Sequence, residues 1–150
     1  MVTIESINRF LNGKKIAVAG VSRKKHKFGN VIYKNLIEKK YTVYPINPSL
    51  KEIDGKECFS DLKSLPEKVD GLVIVTKPEV TGQLINEAHA AGIKNIWIQQ
   101  GADSDEAIQS AKSYGMNIVY GQCLIMFLDQ PGFIHNAHKW IKKVTHTLPH

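Results

Sequence analysis

The chain has 150 residues, 43% hydrophobic and 23% charged, which is the balance of a globular protein and excludes a disordered tract or a fibrous repeat. That length supports one domain with a real core, burying roughly 70% of the surface of the unfolded chain. The formal net charge of +6 admits nucleic acid, a polyanionic small ligand or nothing specific as partner, so the placement of the cations must decide.

In chain order, TIESINRFLN sets Ile4, Ile7, Phe10 and Leu11 at helical spacing behind Thr3 as cap, predicting a covering helix over 3–12. KIAVAGV is a continuous apolar strand. KFGNVIYKNLIEKK predicts a crossover helix with Phe28, Val31, Ile32 and Leu36 on one face and lysines at its negative end. TVYPIN is the second strand, with Pro45 tolerable only where a ladder bond is missing. KECFSDL predicts a very short edge strand, and GLVIVT a fourth strand stopped by Lys77 and Pro78. The helix EVTGQLINEAHAAG turns Val80, Leu84, Ala88 and Ala91 inward and ends at Gly92. NIWIQQG is a strand, SDEAIQSAKSYG a helix from Ser104 to Gly115, and NIVYGQ the last strand. Pro131 precedes a final helix over about 132–145. Strands separated by single helices imply an α/β fold: a doubly wound parallel sheet between two helical layers. The expected single domain has its core at about 13–122, with both terminal helices packed on it.

No apolar run approaches the roughly 18 residues needed to cross a bilayer, and MVTIESINRF lacks the features of a signal peptide. A cytoplasmic protein with no membrane partner is expected. Cys58 and Cys123 are too few for a disulfide framework and are expected as thiols.

In an open parallel sheet, ligands bind beyond the carboxyl ends of the strands. Those loops read GVSRKKHKFGN, NPSLK, TKPEV, QQGADS and GQCLIM. The first sets Arg23, Lys24, Lys25 and Lys27 between Gly20 and the helix start at Lys27 to Asn30, a place suited to phosphate. It is a poor dinucleotide fingerprint, because after Gly20 comes Ser22 and the next glycine is Gly29. Strand two ends in Asn47 and Pro48, where an NAD protein carries its ribose-binding acid. A ligand with a diphosphate and a further phosphate fits better.

AVAGVSRKKHKFGNVIYKNL, YTVYPINP, DGLVIVTKPE, AGIKNIWIQQGADSDEA and GQCLIMF, in that order, resemble the small CoA-binding domain proteins. Their Rossmann-like fold is similar to the CoA-binding domain of the succinyl-CoA synthetase alpha subunit. The resemblance runs from Gly13 to about Val144 and implies strand order 3-2-1-4-5-6, with the segment around Cys58 third. Carried over by position, it implies a cofactor site of Gly20, Val21, Ser22, Lys27 and Gly29, to which the cationic loop adds Arg23 and Lys24 and the helix start Phe28. Asn47 and Pro48 would lie on the adenosine side, followed by Thr76, Lys77 and Pro78, and by Gln99, Gln100 and Gly101. Cys123 matches the cysteine ending the family's last strand.

The implied cofactor is coenzyme A or an acyl-CoA, held in a non-catalytic or accessory role. Ligase activity is not expected of this chain, which at 150 residues has no room for the phosphohistidine and nucleotide-grasp domains. The alternative is an NAD(P)- or other adenine-nucleotide-binding regulator or small enzyme, with Lys24 and Lys25 meeting an NADP 2′-phosphate. No nucleic-acid signature accompanies the charge. His135 and His138 stand i, i+3 and Cys123 is a conceivable third ligand, but histidines on an amphipathic surface helix are ordinarily solvated, and no metal is expected. Trp97 and Trp140 are expected to pack, and the oligomeric state is left open.

Overall fold

The computed structural model describes residues 2–128. Helix α1, Ile4–Leu11, opens with a reciprocal cap: Ser6 N donates to Thr3 Oγ1 and Thr3 N to Ser6 Oγ, both at 3.0 Å. Strand β1, Lys15–Ala19, leads into α2, Phe28–Glu38, and then β2, Thr42–Ile46. A hairpin of β3, Glu52–Ile53, and β4, Lys56–Glu57, precedes a single 3-10 turn at Leu62–Ser64. β5, Gly71–Ile74, α3, Pro78–Ala90, β6, Asn95–Gln99, α4, Asp105–Ser113, β7, Asn117–Gln122, and α5, Leu124–Leu128, complete the order.

The main sheet is five-stranded and parallel in the order β2-β1-β5-β6-β7. One face is covered by α1, α2 and α5, where Phe10 and Phe127 both meet Trp97 edge-on, at 5.5 and 5.6 Å between ring centres. The other face carries α3 and α4, which pack Leu84, Ile85 and Ile108 on Ile74, Ile96 and Ile98. The expected α/β class and Rossmann-like layering therefore hold.

The expected third strand is the exception. Around Cys58 only Phe59 joins the sheet, through one parallel bridge: Asn47 N donates to Phe59 O and Phe59 N to Pro45 O, each at 2.9 Å. The remaining strands follow the expected order. Lys56 and Glu57 instead pair back on Glu52 and Ile53 across Asp54 and Gly55, both at positive φ (49° and 78°), as a primed hairpin turn requires. GQCLIM is likewise not a loop, since Gly121 and Gln122 belong to β7 and Leu124 opens α5.

Two helix faces also differ from expectation. Phe28 and Val80, each 43% exposed, stand outside the buried stripes, which are Gly29, Asn30, Ile32, Tyr33 and Leu36 in α2 and Thr81, Leu84, Ile85 and Ala88 in α3. Both lie in first turns at the strand-end edge of the sheet. The expected final helix at about 132–145, with His135, His138 and Trp140, lies outside the described residues.

The opposite edge is tied by Asp70, whose Oδ2 accepts the amides of Lys14 and Lys15 at 2.9 and 3.0 Å. Lys15 Nζ also pairs with Glu67 Oε1 at 2.5 Å, and Tyr44 Oη donates to the other Glu67 oxygen.

Candidate functional site

The loops after β1, β2, β5 and β6 converge at the carboxyl edge of the sheet, and buried polar side chains lock them together. Gly20 turns the chain at φ +121°, with its missing Cβ only 2.4 Å from the Val75 carbonyl oxygen. Gly29 lies still closer to its neighbour, because a Cβ there would stand 2.2 Å from the Gly20 carbonyl oxygen. These two contacts draw the start of α2 onto the end of β1.

Asn30, 2% exposed, then brackets Ser22: Ser22 N donates to Oδ1 at 2.7 Å and Nδ2 donates to Ser22 O at 2.8 Å. Ser22 Oγ accepts the Lys24 amide at 3.2 Å. Asn47 joins the second loop to the first, with Nδ2 donating to Val21 O and Oδ1 accepting from Ser49 N, both at 2.7 Å. Thr81, fully buried, does the same for the later loops: its hydroxyl donates to Ala102 O at 2.6 Å and lies 3.3 Å from that of Thr76.

On this frame Arg23, Lys24, Lys25 and Lys27 are all exposed and make no ion pair among the described residues. They surround the start of α2, whose cap residue Lys27 makes no side-chain cap bond. Helix α3 begins the same way, at Lys77 with Pro78 in its first turn. The edge thus presents unneutralised positive charge and free helix amides, an arrangement for an anion.

Of the expected residues, Gly20, Val21, Ser22, Gly29 and Asn47 come together around β1, with Val21 buried and Asn47 engaged as a brace. Pro48 lies on the rim of a depression of about 490 Å³ that it shares with Ser49, Leu50, Lys51, Cys58 and Phe59. Thr76, Lys77 and Pro78 stand at the start of α3, where Pro78 also lines a groove of about 510 Å³ between α3 and α4. Gln99 is buried, whereas Gln100 and Gly101 are exposed.

Asn30, Thr81 and Lys51 were not among the expected residues. For Asn30 the available signal was a polar residue on a buried helical stripe, and for Lys51 a cation in a strand-end loop. Of the two thiols, Cys58 is buried, which pushes its pKa up against the weaker opposing effect of backbone hydrogen bonds, while Cys123 is half-buried. Among the described residues no group of three His, Cys, Asp or Glu side chains is placed to hold a metal, and no helix is long and apolar enough to cross a membrane.

A family model described as a CoA binding domain matches residues 14–129. The chain is 32% identical over 130 residues to an ADP-forming acetate–CoA ligase of Archaeoglobus fulgidus, covering 80% of this chain and 19% of the ligase. It therefore spans about a fifth of that relative's length. Among solved structures, a conserved hypothetical protein from Pyrococcus furiosus is 38% identical with a TM-score of 0.72, covering 75% of this chain and 97% of that one. A hypothetical protein from Pyrococcus horikoshii is 32% identical with a TM-score of 0.78, over 83% and 89% of the two chains.

Proposed function

The chain belongs to the CoA binding domain family, and from that premise we propose that it holds coenzyme A or an acyl-CoA along the carboxyl edge of its sheet. The observation that carries this reading is the uncapped start of α2 inside four cations that make no ion pair among the described residues. A diphosphate set against Ser22, Lys27, Phe28 and Gly29 meets free helix amides, and Arg23 and Lys24 supply charge for it and for the 3′-phosphate. Gly20 and Gly29 set those amides beside the end of β1, because neither carries a Cβ to strike the Val75 or the Gly20 carbonyl. The adenosine lies on the Asn47–Pro48 side, where the neighbouring depression offers apolar contact and carries both Lys51 and Glu57 in its lining. Thr76, Lys77 and Pro78, then Gln99, Gln100 and Gly101, follow the pantetheine arm towards β6. Binding without transformation is the role proposed.

The state of Asn47 argues against NAD as the alternative. Both polar atoms of its side chain already hold backbone, and no carboxylate stands at the end of β2 to receive a ribose diol. Calorimetric titration with coenzyme A, NAD and NADP tests the reading. Saturable binding of coenzyme A, with both nicotinamide cofactors weaker, is the expected result, and NAD or NADP binding equally well would overturn it.

A further inference from the structure

The two edges of the main sheet are finished differently. The β2 edge carries Pro45 and is bridged by Phe59, so little of its ladder stays open. The β7 edge, Asn117–Gln122, contains neither proline nor a charged residue and pairs only with β6. Asn117 N donates to Lys94 O at 2.8 Å, so Asn117 and, two residues on, Val119 turn their backbone groups towards β6. The alternation leaves the N–H and C=O of Ile118 and the N–H of Tyr120 pointing outward, without a hydrogen-bond partner among the described residues.

Ile118 and Tyr120 line the floor of a groove of about 350 Å³ whose walls are α1 and α4. Asn117 fixes the α1 wall, its Nδ2 donating to Ser6 O at 3.0 Å and to Asn95 Oδ1 at 3.1 Å. On that wall Arg9 is paired with Glu5 at 3.1 Å. On the α4 wall Lys112 makes no ion pair among the described residues, and its ammonium stands 5.9 Å from the centre of the Tyr120 ring. An open ladder beneath an unneutralised cation suits an extended chain that turns carboxylates towards α4.

We propose that the β7 edge is a docking site for an extended, acid-bearing segment of another protein, which joins the sheet as a sixth strand. A second copy of this chain fits less well, because its own β7 is walled in the same way and its groove brings a second Lys112. The groove lies three strands from β1, roughly 14 Å at about 4.8 Å per step, so the segment does not compete with a ligand held at the cationic loop.

The test is an NMR titration of the full chain, at physiological ionic strength, with an acetylated and amidated peptide of three Thr-Glu repeats. Saturable shifts centred on the Ile118 and Tyr120 amides are expected, with their solvent exchange slowed about tenfold at nine-tenths occupancy. The same peptide N-methylated at every residue should not bind, since it has no N–H to add to the ladder. Lys112→Glu should weaken binding about fivefold or more while the melting temperature and the coenzyme A titration stay as in the parent. Three results would overturn the proposal: no saturable shift at Ile118 and Tyr120, equal binding of the N-methylated peptide, or shifts confined to Arg23–Lys27 that coenzyme A reverses. Protection of both amides in the free protein that grows with concentration, alongside a sedimenting dimer, would also overturn it by assigning the edge to a second copy.

Discussion

Asn30 holds both backbone polar groups of Ser22: its carboxamide accepts from Ser22 N at 2.7 Å and donates to Ser22 O at 2.8 Å, from a side chain 2% exposed. The loop that carries the cations is thereby clamped to the helix that offers the amides. Asn30→Asp keeps the shape but loses the donor and buries a charge. It is expected to cost about 2–3 kcal/mol in denaturant unfolding and to weaken coenzyme A binding. Unchanged stability would show that the clamp contributes nothing.

Glycine substitutions separate close approach from mere helix position. Gly29→Ala forces a Cβ to within 2.2 Å of the Gly20 carbonyl oxygen, a backbone atom that cannot swing away. A loss of about 3 kcal/mol, or an insoluble protein, is expected. Gly82 lies inside α3 with nothing within 4 Å of its missing Cβ. Gly82→Ala should therefore stabilise by up to about 1 kcal/mol. Equal thermal shifts for the two variants would contradict the packing described.

Asp70 makes folding acid-sensitive. The Lys14 and Lys15 amides, in that order, hold its carboxyl below the ordinary value of 3.8, against partial burial that pushes the other way. A depressed carboxylate contributes stability that is complete above the unfolded pKa and is lost as pH falls through the folded one. Asp70→Asn should thus be less stable than the parent by about 1 kcal/mol at pH 7, a low value because the residue is exposed. The gap should close as pH drops below about 4. Urea midpoints at pH 7, 5 and 3 check this, and a constant gap would contradict it.

The two thiols should react at different rates. Cys58 is 6% exposed and its pKa is raised by burial, so its thiolate is scarce and shielded. Cys123 is half-buried at the strand-end edge. Labelling of the native protein with an aromatic disulfide should modify Cys123 first and Cys58 only on unfolding, as peptide mapping would show.

The layers and the strand order around β1 were legible because apolar runs and amphipathic helices alternate cleanly from Lys15 to Gln122. The hairpin was carried by Asp54-Gly55, a strong turn signal, but its flanking strands of two residues each are too short to show alternation. Periodicity turns Phe28 and Val80 inward because it carries no knowledge of where the sheet ends beneath a first turn. The braces of Asn30, Asn47 and Thr81 were hidden for another reason: side-chain bonds to distant backbone leave no periodic trace. Gln122 meets Gln99 only through the bulge at Gly121, a register shift that no local pattern announces.

A crystal structure of the full chain with coenzyme A would test the central claim most directly. The account predicts the diphosphate against Ser22 and the first turn of α2, the adenosine beside Asn47 and Pro48, and the sulfur end beyond β6 and β7. A diphosphate bound elsewhere, for instance in the groove between α3 and α4, would contradict it.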